Sequence, residues 1–226
     1  MDPVGGDVRA VAVLAEPQRA RIFSYLASAP GSRTRHEVGE ALGIGRTLVA
    51  FHLDKLQHAG LVEAAPAAPG TGRPGRPAQR YRVVQEEVGA SVPPRRYALL
   101  AEILVQAAGE QALGERLQDA ARRVATRRGR ELAAAHCDAG PSRRSRSDTL
   151  DVVLTQAGYA PRDDGRRVVL TNCPFQRLRV LDTALVCSIN AALAAGYLQG
   201  LDVGDELTAR LRPDPPNCCV VLERSA

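Results

Sequence analysis

The 226-residue sequence lacks an apolar run of the roughly 18 to 20 residues that a membrane helix needs. The best candidate, Ala184 to Leu198, is interrupted by Asn190 and Gly196. A signal peptide is not indicated either, because the N-terminal segment carries acid before base. We therefore expect a cytoplasmic protein.

The sequence also lacks the motifs of the common enzyme classes. It contains no CxxC pair, no phosphate-binding P-loop, no Ser-His-Asp order and no recognisable pair of catalytic carboxylates. The adjacent Cys218 and Cys219 leave a thiol oxidoreductase as the enzyme alternative. We predict that the chain is not an enzyme.

Lysine is almost absent, since Lys55 is the single lysine among 30 basic residues. This bias indicates a GC-rich coding sequence before it indicates a function. The formal net charge of +5 divides into +2 for residues 1–90, +5 for 91–147 and −2 for 148–226. Such asymmetry favours an anion-binding front half that is joined to a neutral or acidic rear module.

Cysteine is scarce and odd in number, with five residues in the second half of the chain. A disulfide framework is not expected without an export signal, so metal binding or redox chemistry is the better interpretation. The alternative is that these residues are buried small apolar side chains. The five are Cys137, Cys173, Cys187, Cys218 and Cys219.

The first 90 residues have the pattern of a winged helix-turn-helix. Thr34 and Glu37 have the spacing of a capping box for one helix, and the next helix is predicted from Arg46 to about Ala59. Two strand signals follow, separated by segment 66–79, which is rich in proline and glycine. Arginines lie within this segment and directly after it, and we predict that it is the wing.

The helix predicted from Arg46 has one row of side chains that packs against the protein and an opposite row that is available to DNA. Val49, Leu53 and Leu56 recur on one stripe, which turns the opposite row toward the major groove of DNA. Arginines of the wing are expected in the adjacent minor groove. His52 and His58 are interpreted as packing or surface residues, and a winged helix that binds protein is the alternative function. The predicted DNA-binding residues are Arg46, Thr47, Ala50, Phe51, Lys55, Arg73, Arg76 and Arg80.

Helical patterns dominate the remaining chain. Residues 94–136 predict two helices, and the last part predicts a helix, a hairpin, a long helix from about Phe175 to Leu198 and two strands. We therefore predict a mainly α fold with small β parts. The predicted domains are a winged helix-turn-helix domain (1–90), a helical dimerisation segment with linker (91–147) and a C-terminal α+β cysteine-containing sensor module (148–226).

Three segments carry a resemblance to a known family: LAEPQRARIFSYL, EALGIGRTLVAFHLDKLQHAGLV and the wing GRPGRPAQRY. They resemble the ArsR-type bacterial regulators, in particular the branch with a C-terminal cysteine module. The resemblance implies a homodimeric transcription regulator, usually a repressor, that binds double-stranded DNA. Gly45 is a departure, since many relatives have Ser or Thr as the cap of the recognition helix.

The rear module resembles that of the iron–sulfur-sensing repressors of the Suf cluster-assembly operon and their paralogues. NCPF supplies Cys173, LVCSIN supplies Cys187, and CCVVL supplies Cys218 or Cys219. In the resembling regulators such thiolates hold an iron–sulfur cluster, here of the 4Fe–4S or 2Fe–2S type. Two departures are a Cys173-to-Cys187 spacing one residue longer than in the operon repressors, and Asp182 where paralogues commonly carry histidine. Only three cysteine segments are available for a cluster that normally takes four thiolates.

Cys218 and Cys219 point to opposite faces if the strand that carries them is extended. The face of Cys218 continues with Val220 and Leu222, so we expect it to face the long helix that carries Cys187. Zinc, metal-free thiols, and a rear module for an organic effector or for dimerisation only are the alternatives. The predicted ligands are Cys173, Cys187 and Cys218, with Cys219 spare and with Asp182, Cys137 or a non-protein group as the fourth.

Overall fold

The computed structural model describes residues 3–65, 78–84, 88–138, 146–213 and 217–225. The chain forms two compact units, Met1–Ser91 and Val92–Ala226. The predicted mainly α fold with small β parts is confirmed, since helices dominate and both sheets are small and antiparallel. None of the described helices is long and apolar enough to span a membrane.

The first unit combines helices with a small sheet. Its elements are α1 (Pro3–Leu14), α2 (Pro17–Ser28), β1 (Arg33–Thr34), α3 (Arg35–Leu42), α4 (Arg46–His58), β2 (Val62–Ala65) and β3 (Arg80–Val83). The strand order is β1-β3-β2, with both pairs antiparallel. Strands β2 and β3 therefore form a hairpin in the position predicted for the wing.

Local side-chain bonds determine where α3 begins and ends. The predicted capping box is confirmed: the N–H of Glu37 donates to Thr34 Oγ1 at 3.2 Å, and the N–H of Thr34 donates to Glu37 Oε2 at 2.6 Å. Gly43 ends the helix with φ 67°, a conformation that glycine adopts without a Cβ penalty. The next helix, α4, starts directly after Gly45, which provides no side-chain cap.

Helix α4 packs into the core of the first unit through one row of buried side chains. Val49, Leu53 and Leu56 are fully buried, as the sequence predicted. Burial of one such aliphatic side chain contributes roughly 1.5–3 kcal/mol, so the row orients the whole helix. The turn before α4 is tight, because a Cβ on Gly39 would lie 2.9 Å from the carbonyl oxygen of Ile44. The core comprises Ile22, Phe23, Leu26, Val38, Ile44, Val49, Leu53, Leu56, Leu61, Val62 and Tyr81.

The second unit combines helices with a four-stranded antiparallel sheet. Its elements are α5 (Tyr97–Glu110), α6 (Leu117–Asp138), α7 (Arg146–Gln156), β4 (Pro161–Asp163), β5 (Arg167–Leu170), α8 (Gln176–Arg179), α9 (Thr183–Gly200), β6 (Leu207–Leu211) and β7 (Val220–Arg224). The strand order is β4-β5-β7-β6. One hydrophobic core takes side chains from α5, α6, α9 and this sheet, so both segments that the sequence separates at residue 147 contribute to it.

The prediction of a single long helix from about Phe175 to Leu198 is wrong at the N-terminal end of that helix. The chain forms the short α8 and then begins α9 at Thr183. Asp182 explains the interruption, because its carboxylate accepts the N–H of Leu185 at 2.9 Å and caps the second helix. The carboxylate that the resemblance offered as a fourth metal ligand is thereby engaged in a helix cap.

Helices α6 and α9 approach each other closely enough for backbone contact. A Cβ on Gly196 would lie 3.0 Å from the Cα of Gly129, and a Cβ on Gly200 would lie 2.6 Å from the carbonyl oxygen of Arg130. Any side chain larger than hydrogen at these positions would force the helices apart. The close packing determines the position of α9, which carries Cys187 and Asn190.

Candidate DNA interface and cysteine centre

The outer row of α4 presents polar, cationic and aromatic side chains to solvent. Arg46, Thr47 and Phe51 are exposed, and Ala50 is half-buried beside them. Lys55 is also exposed, with its Nζ 5.7 Å from the ring centre of Phe51. Thr47, Phe51 and Lys55 lie on the side away from the buried row, Arg46 stands at the N-terminal end, and Ala50 flanks them; a recognition helix presents one such face to the major groove.

A network around Arg35 ties α3, α4 and β3 together. Its Nε donates to the Tyr81 hydroxyl at 2.8 Å, and its Nη2 donates to Asp54 Oδ1 at 3.0 Å. The guanidinium carbon also lies 5.4 Å from the centre of the Tyr81 ring. Asp54 is the acidic residue of α4, so this ion pair compensates the negative charge that the helix would bring toward DNA.

His52 is a buried packing residue of α4 that contacts a helix cap. Its Nδ1 lies 3.4 Å from Oε2 of Glu16, whose carboxylate accepts the N–H groups of Gln18 at 3.1 Å and Arg19 at 2.8 Å. Desolvation acts to raise the pKa of Glu16, but the two N–H bonds, together with the nearby His52 and Arg19 side chains, outweigh it and lower that pKa. Glu16 was not predicted from the sequence, because its partner is distant in the chain.

Of the three arginines predicted in the wing region, the structure describes Arg80. Arg73 and Arg76 lie outside the described residues. Arg80, at the start of β3, is half-buried: its Nε donates to Ser32 Oγ at 2.9 Å, and its Nη2 lies 3.4 Å from Glu37 Oε2. Arg80 therefore stabilises the base of the hairpin and the first turn of α3, and its contact with DNA stays a prediction.

A disulfide joins two of the five cysteines. It links Cys187 on α9 to Cys219, with the two Cα atoms 6.5 Å apart. The sequence predicted Cys219 as the spare residue and expected Cys218 to face α9. Both residues reach α9, because they precede β7, which begins at Val220, and the strict alternation of an extended strand does not govern them.

The other two described thiols form a buried hydrogen-bonded pair. Cys173 and Cys218 are hydrogen-bonded through their side chains, and both are buried. The amide Nδ2 of Asn190 donates to Cys218 Sγ at 3.1 Å, and the hydroxyl of Tyr159 donates to Asn190 Oδ1 at 2.6 Å. These four side chains form a continuous hydrogen-bonded chain inside the core of the second unit.

The surroundings of this thiol pair shift the pKa values of the two sulfurs in opposite directions. The hydrogen bond from Cys218 lowers the pKa of Cys173 to about 7, with help from the N–H of Phe175 and the positive charges of Arg179 and Arg95, while burial opposes them. The pKa of Cys218 is raised far above its usual value by the same hydrogen bond and by burial. Cys173 is therefore the sulfur of the pair that loses its proton first.

The residues predicted to hold an iron–sulfur cluster have other partners in the structure. In the part of the chain that the structure describes, no three His, Cys, Asp or Glu side chains stand together as a metal site. Cys187 and Cys219 are joined to each other, and Asp182 caps α9. Cys137 lies in the last turn of α6, and its side chain is outside the described residues. Which of these residues bind a metal stays a prediction.

Tyr159 and Asn190 were not predicted from the sequence as members of the cysteine centre. Asn190 did carry a signal, since it is a polar residue inside the apolar run of α9. Such a residue is normally hydrogen-bonded when it is buried, and here both ends of its amide have partners. Tyr159 gave no comparable signal, because its pairing with α9 is long-range.

The arrangement of α3, α4 and the β2–β3 hairpin defines a winged helix-turn-helix. Residues 14–64 match a family described as "Helix-turn-helix domain", which is ArsR-like. The match includes α2, α3, α4 and most of β2. A search of the curated proteins finds no match for the chain. The domain supports a DNA-binding transcriptional regulator rather than an enzyme.

Proposed function

We propose that the chain is a cytoplasmic, homodimeric, sequence-specific DNA-binding repressor of transcription whose second unit senses redox state. The observation that carries DNA binding is the division of α4 into a fully buried row and an exposed row that starts with Arg46. This helix lies within the segment that matches a helix-turn-helix family.

The exposed row has the chemistry that base readout needs. Arg46 stands at the first position of α4, where a guanidinium reaches a guanine edge or a phosphate. Thr47 can hydrogen-bond to either, and the exposed ring of Phe51 suits the methyl group of thymine. The row thus combines polar and apolar contacts, which a helix that binds phosphates alone does not require.

Selection of binding sites from random duplexes tests the proposal. We expect a two-fold symmetric site, because a dimer presents two copies of α4. Affinity for that site should fall with salt, with a slope of log affinity against log salt of about 0.9 per neutralised phosphate. Binding without any salt dependence would contradict DNA recognition.

Dimerisation and repression follow from the resemblance to ArsR-type regulators. Light scattering on the full chain after size exclusion measures the first, and we expect the mass of two copies. Transcription in vitro from a promoter that contains the selected site measures the second, and we expect fewer transcripts when the protein is added. A monomer that still selects a symmetric site would contradict the dimer.

Redox sensing by the second unit is supported by its cysteine centre, in which one pair is oxidised and the other is reduced. Its test is the affinity for the selected DNA site before and after treatment with a dithiol reductant. We expect the two forms to differ in affinity. Equal affinity in both forms would restrict the second unit to another role.

An iron–sulfur cluster, or zinc as the lesser alternative, is the cofactor we propose for the fully reduced chain. Cys187 and Asn190 stand one turn apart on α9, and they contact Cys219 and Cys218 respectively, so reduction of the disulfide leaves several thiols in neighbouring positions. Anaerobic purification with iron, sulfide and zinc analysis tests this. Absence of all three would exclude the cofactor.

A further inference from the structure

We propose that Cys173 and Cys218 are a second redox pair, which a small hydroperoxide converts into a disulfide beside the one between Cys187 and Cys219. Cys173 is the sulfur that reacts first, and Cys218 is the sulfur that resolves it. This inference deepens the redox sensing proposed above and rests on it for its biological role. Its chemistry can be tested without DNA.

The hydrogen bonds that begin at Tyr159 determine which sulfur of the pair donates and which accepts. The Asn190 carbonyl can only accept, so the Tyr159 hydroxyl donates to it at 2.6 Å and orients the amide. The amide Nδ2 then donates to Cys218 Sγ at 3.1 Å. With its sulfur accepting from Asn190, Cys218 directs its own S–H to Cys173. Cys173 is therefore the acceptor at the end of the chain.

The backbone brings the segments that carry the two cysteines next to each other. The N–H of Cys218 donates to the carbonyl of Leu170 at 2.9 Å, next to the segment that leads to Cys173. That segment is fixed on its other side, because Arg95 Nη1 donates to the carbonyl of Cys173 at 2.9 Å and Asn172 Nδ2 donates to the carbonyl of Pro94 at 3.1 Å. The two side chains that would form the disulfide are thus already hydrogen-bonded neighbours on segments that the backbone holds in place.

The burial of both sulfurs determines the size of the oxidant that can reach them. Cys173 is 3% exposed and Cys218 is 1% exposed, so a tripeptide disulfide such as oxidised glutathione cannot align with either sulfur. Hydrogen peroxide is close to water in size. The Cys173 sulfur attacks one peroxide oxygen; the S–O bond forms, the O–O bond breaks, and the departing hydroxide takes up the Cys173 proton and leaves as water. The Cys218 sulfur then attacks Cys173; the S–S bond forms, the S–O bond breaks, and hydroxide leaves as water with the Cys218 proton.

Peptide mapping of the full chain distinguishes the possible links. Cleavage after arginine places Cys173 on peptide 168–177, Cys187 on peptide 180–210, and both Cys218 and Cys219 on peptide 211–224. Before treatment, we expect 180–210 linked to 211–224, with Cys173 alkylated after denaturation. After hydrogen peroxide, we expect all three peptides in one species that has lost two further hydrogens. Oxidised glutathione should leave 168–177 unlinked.

Two variants at neighbouring positions assign the resolving sulfur. In Cys219→Ser, peroxide should still link 168–177 to 211–224 through Cys218. In Cys218→Ser, the link should be absent and Cys173 should be found as a sulfenic acid by dimedone that is added together with denaturant after the peroxide. Circular dichroism spectra show whether both variants fold; if Cys218→Ser does not, Tyr159→Phe replaces it and should slow the linkage.

Several outcomes would overturn the inference: no link between 168–177 and 211–224 in the parent chain, equal linkage in Cys218→Ser, or equally fast linkage by oxidised glutathione. DNA affinity is measured on the same samples. Complete linkage with unchanged affinity would contradict redox sensing but leave the second redox pair established. Absence of linkage would remove the pair and leave DNA binding unaffected.

Discussion

The hydroxyl of Tyr159 donates a 2.6 Å hydrogen bond to the side-chain carbonyl of Asn190, and both side chains are buried. The bond joins the turn after α7 to the middle of α9. Because desolvation raises the pKa of Tyr159 well above its usual value, the phenol stays protonated and remains a donor throughout the neutral range. The orientation of the Asn190 amide therefore depends on a donor that does not titrate in this range.

Replacement of Tyr159 by Phe should destabilise the chain by roughly 1–3 kcal/mol, because it leaves the Asn190 carbonyl buried without its donor. The measurement is the free energy of unfolding from urea denaturation. Tyr97→Phe is the matched control: the Tyr97 hydroxyl is buried and has no hydrogen-bond partner among the described residues, so its removal should cost nothing. Equal losses in the two variants would show that the hydroxyl of Tyr159 is not needed.

Replacement of Glu37 by Ala should cost about 1 kcal/mol near pH 7, because it removes half of the capping box of α3. The N–H of Thr34 is the main reason why the pKa of Glu37 lies below its usual 4.5, with Arg80 and Arg33 adding to the effect and burial opposing it. The stabilisation is therefore present above the unfolded value of 4.5 and is lost as the pH falls through the lower folded value.

The difference in unfolding free energy between wild type and Glu37→Ala should accordingly shrink in acid. Urea denaturation at a series of pH values from about 7 to about 3 measures it. Glu40→Ala is the control, since Glu40 and its partner His36 are each 72% exposed and such pairs contribute little. A difference that stays constant across this range would mean that the Glu37 carboxylate is not the stabilising group.

Local sequence patterns predicted the elements that local chemistry determines. The capping box at Thr34 and Glu37 and the buried row of α4 follow from spacings of three and four residues, and the structure contains both. The break before α9 also has a local cause, the cap at Asp182, but the apolar pattern on both sides concealed it. Helix periodicity alone does not reveal such a cap when the residues around it are apolar.

Long-range pairs could not be predicted in the same way. The contact of His52 with Glu16 and the bonds from Asn190 to Tyr159 and Cys218 join distant segments, and no spacing rule connects them. The alternation predicted for the two neighbouring cysteines failed for a different reason. It assumes an extended strand, whereas both cysteines precede the first residue of β7.

Replacement of both Arg73 and Arg76 by Ala should weaken DNA binding on all sequences, because the minor groove distinguishes mainly A·T from G·C. The slope of log affinity against log salt should decrease by about one unit for each phosphate that the variant no longer neutralises. Fluorescence anisotropy titrations at several salt concentrations measure both quantities. Since these residues lie outside the described part, the experiment tests the sequence prediction directly. An unchanged slope with unchanged affinity would mean that the wing does not touch DNA.

Replacement of Arg46 by Ala should cost roughly 1–3 kcal/mol on the selected site and much less on random DNA, if the guanidinium reads a guanine edge from the start of α4. The matched control is Arg166→Ala, which removes the same charge from an exposed position between β4 and β5 in the other unit. Its effect should be small on both DNAs, because Arg166 does not belong to the helix-turn-helix domain and its removal changes only the screened long-range attraction. Anisotropy titrations of both variants on both DNAs give the four affinities. Equal losses for Arg46→Ala on the two DNAs would assign Arg46 to a phosphate, and equal losses for both variants would place the DNA interface elsewhere than on α4.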